Sequence, residues 1–184
     1  MGARVRPEGS GPKRKEEPTR APLMPALENP PDDPCFGCGP DHPRGLRPKF
    51  EKVEGPGRAD EIRTFFTPRP EEIGWPGPFH PGLHFTVLYE GSYWTALTPG
   101  GRPMVSTGAE THEHRRLPRV GRPHVAWARL GPASGSRRTV LASTGTEEGR
   151  PCGSLETTRQ PVERAEIERS GLPRPDHLLS EIPP

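Results

Sequence analysis

Three groups of residues carry side chains able to do chemistry. The first lies along Gly74-Trp-Pro-Gly-Pro-Phe-His-Pro-Gly-Leu-His-Phe-Thr-Val-Leu-Tyr-Glu90. Here a Gly/Pro loop delivers His80 to the start of the most apolar helical segment in the chain. A helix start aimed at a pocket binds an anion or polarises a carbonyl. His80 could orient that carbonyl or cap the helix, the Gly82 amide is a further donor, and Tyr89 offers a phenol. Glu90 stands between Val87 and Trp94 in an apolar stripe, where desolvation would suit it to act as a base near neutrality. The plain alternatives are a backbone hydrogen bond for His80, core packing for Tyr89 and His84, and an interface ion pair for Glu90.

The second group is Cys35, Cys38 and His42, spaced C-x2-C-x3-H. With Cys152 or another His as a fourth ligand they could hold zinc; as a CxxC pair they could be redox-active; or the thiols simply pack under Phe36. His112 and His114 share one face of a strand and could be another ligand pair, although beside Arg115 and Arg116 a solvated or phosphate-facing strand is the plainer reading. The third group is Arg115, Arg116 and Arg119, which are either ordinary surface charge or a phosphate clamp.

These groups need elements to position them. Strands are expected over 47–54 and 62–67, separated by the turn Gly55-Pro-Gly57. A helix is expected over 81–97, with Pro81 at its first position and Thr98-Pro-Gly-Gly101 as its stop. Its apolar residues fall on two stripes, Leu83/Val87/Trp94/Leu97 and Phe85/Tyr89/Tyr93/Ala96, so it should be buried against a sheet. Four further strands follow over 104–116, 123–130, 138–146 and 152–159, then a short helix over 162–169. The order predicts an α+β domain over 31–170, one antiparallel sheet around a central helix. A flexible tail is expected over 1–30 and another over 171–184.

Composition sets the limits. With 29% hydrophobic residues, 28 prolines and 22 glycines in 184 residues, the core is small, and association is a natural way to complete it. A net charge of +2, from 26 basic and 24 acidic residues, argues against a nucleic-acid partner. No run is long and apolar enough to span a membrane, and the first 20 residues lack an apolar signal core. Three cysteines make no disulfide framework, so a cytoplasmic location is the expectation. No cofactor is expected.

Three motifs in order carry a resemblance. Cys35-Phe-Gly-Cys-Gly-Pro-Asp-His-Pro-Arg-Gly-Leu46 resembles the Cys-Phe-Gly-Cys-Gly signature ahead of the first strand in hotdog-fold acyl-CoA thioesterases of the PaaI-like kind. His80-Pro-Gly82 resembles the His-Gly-Gly that opens their central helix, and Leu117-Pro-Arg-Val-Gly121 their Pro-x-x-x-Gly turn. The resemblance covers roughly 31–160 and implies a hotdog fold, an acyl-CoA thioester as partner, and a homodimer or dimer of dimers with the site between subunits. It implies substrate-binding positions at Gly77, three before the His, and at Arg115 and Arg116, near the CoA phosphates. In the family an acid stands nine residues after the His, and an amide at the helix start stabilises the oxyanion. Here the ninth residue is Tyr89, Pro81 has no N–H to donate, and Gly74 replaces an Asn. Glu90 is the nearest acid, so the implied activity is either hydrolysis with Glu90 as base or acyl-CoA binding without it. A zinc-binding structural or regulatory module, built on the Cys loop, is the third possibility.

Overall fold

A computed structural model describes residues 23–27, 29, 31–58, 60–75, 77–97, 104–114 and 116–169. The strands are β1 (Leu23–Leu27), β2 (Phe50–Val53), β3 (Glu61–Phe66), β4 (Met104–His114), β5 (His124–Ser134), β6 (Arg137–Thr146) and β7 (Pro151–Pro161). The helices are α1 (Pro81–Leu97) and the short α2 (Arg164–Arg169), and a 3-10 turn at Pro70–Glu72 leads toward α1. One antiparallel sheet has the order β1-β2-β3-β5-β6-β7-β4, and α1 packs across it, meeting β3 to β7. The chain leaves the sheet at β3, crosses under it as α1, and returns at the far edge as β4.

The bounds of α1 match those expected, but its buried face differs. His84, Val87, Leu88, Gly91, Ser92 and Thr95 form one stripe, joined by Trp94 and Ala96. That stripe runs between the two apolar ones, and three of its members are polar. It works because the sheet offers small partners, Ala126, Ala128 and Ala142, so the helix comes close. A Cβ at Gly91 would already touch Phe50 and Ala128. Phe50, Ile62, Leu88, Trp94, Val140 and Leu155 fill the main core, and Phe79, Val87 and Ala126 a smaller cluster at the start of α1.

Two strand bounds are corrected. Leu23–Leu27 lies in the segment expected to be a tail, yet pairs with β2 around a bulge. Residues 131–134, expected as a turn, continue β5; a register shift between Leu130 and Ala133 accommodates Pro132, and the hairpin turns instead at Gly135 with φ 60°. Residues 1–22, 98–103 and 170–184 lie outside the described residues, as does any test of the expected tails and helix stop there.

The largest fully buried side chain is Arg159, on β7 and 1% exposed. Its guanidinium donates to Ser92 Oγ at 2.7 Å, to the Tyr89 carbonyl at 3.0 Å and to the Met104 carbonyl at 3.5 Å. It also lies over the Tyr89 ring, 4.4 Å from the centroid, and near that of Tyr93. Arg159→Ala strands these acceptors and leaves a hole, so it should cost about 3 kcal/mol or more, read from urea unfolding. Arg159→Lys should recover little, because one ammonium cannot span the helix and β4 while stacking on a ring.

Candidate functional site

The start of α1 is built by hydrogen bonds from both sides. The Glu72 carboxylate accepts the backbone N–H of Arg69 at 2.8 Å and its Nε at 2.7 Å. Arg69 then donates to the Gly45 carbonyl at 3.1 Å, tying the Cys loop to the approach to α1. The His80 N–H donates to the Glu72 carbonyl, and the His80 carbonyl accepts the first helical bond from His84. The His80 ring then caps the helix: Nδ1 accepts the Gly82 N–H at 3.0 Å. A neutral ring holding that bond carries its proton on Nε2, facing solvent. The Gly82 amide, a candidate oxyanion donor, is thus engaged by His80 itself, and position 81 is proline.

Gly77, with φ 108°, turns the loop so that its carbonyl accepts the Val120 N–H, while Phe79 donates to the Pro118 carbonyl at 2.7 Å. Pro78 and Arg119 bridge the same two segments. The turn 116–122 is therefore bound to the loop that starts α1. Beside it is a cavity of about 410 Å³ lined by Arg116, Arg119, Arg122 and Arg150, with His124, Glu147 and Glu148. Four guanidinium groups against two carboxylates make it net positive. Arg115 lies outside the described residues, and so do the side chains of His112 and His114. Arg122 and Arg150 were missed in the sequence because they come from different turns, which only the sheet brings together.

His84 is fully buried, with Nε2 at 2.6 Å from Thr144 Oγ1, and is a core residue. Tyr89 stacks on Phe85 and carries the Arg159 guanidinium on its ring. Glu90 points elsewhere. One residue on is about 100° of rotation, and that turn aims the carboxylate at the Cys loop. A Cβ at Gly37 would overlap the Glu90 carboxyl group. Ten residues of helix put Glu90 about 15 Å from His80, so the two cannot act on one carbonyl within a chain.

The Cys loop is folded on itself. The Asp33 carboxylate accepts the Cys35 N–H at 2.8 Å, and the Gly39 N–H donates to the Cys35 carbonyl at 2.9 Å. A side chain at Gly39 would strike the backbone of Asp33 and Cys35. Cys38 Sγ–H donates to Cys35 Sγ at 3.7 Å, and Asn29 Nδ2 donates to Cys38 Sγ at 3.0 Å. Cys35, Cys38 and Glu90 bring their ligating atoms within 4.8 Å of one another. His42 is not among them, a correction to the expected ligand set. Its ring packs edge-on against Phe36, and its Nδ1 accepts the Arg44 N–H. Cys152 also lies elsewhere, buried at the start of β7 with Sγ near the Arg150 carbonyl.

The three groups perturb one another. The bond from Cys38 pulls the Cys35 thiol down to about 5, against burial, with help from the amides of Cys38 and Gly37. The same bond, with burial and Glu90, pushes Cys38 up. Burial chiefly lifts Glu90 to about 7; the Cys38 hydrogen bond and Arg159 oppose this.

No protein-family model matches the chain, nor does any curated protein sequence. Solved structures do. A thioesterase superfamily protein superposes with TM-score 0.60 and 21% identity over 71% of this chain and 60% of its own. The chain thus matches less than two thirds of that protein's length. The E. coli PaaI protein of the phenylacetic acid degradation operon gives TM-score 0.53 at 10% identity, covering 56% of this chain and 74% of its own. A Streptococcus mutans protein solved with acetyl-CoA bound gives 0.52 at 12%, covering 56% and 82%. The chain has the hotdog fold. Its central helix is α1, and the site residues above are placed relative to that helix. Among the described residues, no helix is long and apolar enough to cross a membrane.

His124, at the edge of the arginine cavity, gives this region a pH dependence. Burial holds its pKa below the usual histidine value, opposed by backbone hydrogen bonds and by Glu148 and Glu147. Its Nε2 accepts the Arg119 N–H at 2.9 Å, which a protonated nitrogen cannot do. The folded pKa lies below the unfolded one, so this contribution is complete above about pH 6.5 and is lost as pH falls through the folded value. Urea unfolding at about pH 7.5 and about pH 5.5 should show wild type losing stability relative to His124→Gln as pH falls, because the variant keeps an acceptor without titrating while the other titrating groups are common to both.

Proposed function

We propose that this chain is a thioesterase-like hotdog protein that binds a CoA thioester without hydrolysing it, the arginine cavity receiving the phosphates. The observation that carries this reading is the four-arginine cavity hydrogen-bonded to the loop that starts α1. Arginine holds phosphate oxygens bidentately, so several guanidiniums around one cavity suit a pyrophosphate and a further phosphate. A neighbour with the same fold was solved with acetyl-CoA bound, which supports the ligand class. The acyl end would then reach the His80 end of α1.

The same geometry argues against turnover. Position 89, where the resemblance calls for an acid, is a tyrosine under a guanidinium; Pro81 has no amide proton; and the Gly82 amide is used by His80. Binding across two subunits is part of the proposal. Strand β4 is a sheet edge of 11 residues with Val105 exposed on it, and such an edge is a template for pairing with a second copy. The dimer would bring one chain's helix start toward its partner's mid-helix residues.

Calorimetric titration of the full chain with CoA and acetyl-CoA should show saturable binding. Arg119→Glu combined with Arg122→Glu should weaken it at least about 10-fold, since each hydrogen bond to a charged group is worth roughly 1.5–3 kcal/mol. A thiol-release assay on a panel of acyl-CoAs should show no turnover. Turnover that Glu90→Gln abolishes would make the protein a hydrolase and overturn the binding-only reading; unchanged CoA affinity in the double variant would remove the arginine cavity from it.

A further inference from the structure

Hydrogen bonding and packing account for most of the buried polar groups along α1. The Cys35–Cys38–Glu90 cluster is different: two thiols and a carboxyl converge on one point from a loop and a helix 52 residues apart in sequence. Nothing in CoA binding uses it. We propose that Cys35, Cys38 and Glu90 form a zinc(II) site of two thiolates and one carboxylate, with a fourth position left to solvent.

Four independent features fit. The first is spacing. Two thiolates at about 2.3 Å from a tetrahedral zinc stand about 3.8 Å apart. The two sulfurs are 3.7 Å apart. The second is the shape of the loop. The Gly39 N–H closes the turn on the Cys35 carbonyl at 2.9 Å, and a side chain at Gly39 would strike the backbone, so the loop holds both sulfurs on one side. The third is the surrounding support. The Asp33 carboxylate holds the Cys35 backbone, and Asn29 donates to the Cys38 sulfur, as outer partners do around metal ligands. The fourth is Gly37. Only a glycine leaves room there for the Glu90 carboxyl group to reach the sulfurs.

The donor set selects the metal. Two thiolates disfavour magnesium and calcium, which take oxygen ligands, while one carboxylate with two sulfurs suits zinc. The ion would join the loop to the middle of α1 and make Glu90 a ligand. The site is independent of the CoA proposal, since the arginine cavity is built from other residues and stands at the helix start.

The test uses the full chain, reduced and stripped of metal, titrated with Co(II) and then with Zn(II). The wild type should bind one Co(II) per chain and develop thiolate-to-cobalt charge-transfer absorption in the near ultraviolet. Zn(II) should displace it and raise the thermal midpoint. Cys35→Ser or Cys38→Ser should remove the absorption, and Glu90→Gln should weaken binding at least about 10-fold. His42→Ala and Cys152→Ser should leave spectrum and affinity unchanged. The wild-type titration decides even where a variant fails to fold. Absence of charge-transfer absorption in the reduced, folded wild type would overturn the proposal. So would loss of binding in His42→Ala with Glu90→Gln unaffected, which would restore the C-x2-C-x3-H set.

Discussion

Everything along α1 depends on where the helix is rotated, and Arg159 sets that. Its guanidinium reaches a helix carbonyl, a helix hydroxyl and a β4 carbonyl at once, and it lies over two aromatic rings four residues apart. A buried guanidinium is tolerated only with its donors occupied, so a few degrees of helix rotation would expose an unsatisfied charge. Tyr89 is thereby held under Arg159. The next residue, Glu90, is turned about 100° away, onto the Cys loop. One interaction on β7 thus decides which side chain faces which neighbour along the whole middle of the helix.

A second constraint holds the loops to that helix. Arg69 spans the Glu72 carboxylate and the Gly45 carbonyl, so the segment entering α1 and the end of the Cys loop move together. The turn 116–122 is bonded in turn to 77–79. Two chemically distinct regions result. Guanidiniums gather at the helix start, where the dipole also favours anions, and thiols gather against a carboxyl group about 15 Å further along. That separation puts the arginine cavity and the Cys35–Cys38–Glu90 cluster on different parts of one helix.

The sequence made some of this legible and hid the rest for physical reasons. The bounds of α1 could be read because Pro81 starts it and Gly-Pro punctuation flanks it. Four strands after it could be read from turn residues between them. Strand β1 could not, since Leu-Met-Pro-Ala-Leu shows no alternation and contains a proline. The continuation of β5 through Gly131-Pro132 was masked by two turn-forming residues that a bulge absorbs. The buried face of α1 was hidden because His84, Ser92 and Thr95 sit inward, each with a hydrogen bond. Spacing suggested His42 as the third ligand because it is near in sequence; Glu90 is near only through the fold. Arg159 was missed although alternation puts it on the face of Leu155 and Thr157, because arginine is a residue type rarely fully buried.

The departures from the resemblance are better understood as coupled than as separate losses. An acid at position 89 would lie against the Arg159 guanidinium, in place of the phenol ring that now covers it. A neighbouring cation at that range stabilises the ionised carboxylate and lowers its basicity, the opposite of what a general base needs. With Arg159 fixing the helix, tyrosine at 89 is the residue that lets the charge be buried, by presenting a ring face rather than a second charge. An acid placed there would therefore pair with the Arg159 guanidinium. Likewise the proline at 81 and the His80 cap are mutually consistent: the helix start lacks one N–H and uses another internally. The chain keeps the hotdog scaffold while the start of α1 is closed on itself and the one acid of α1 faces two thiols.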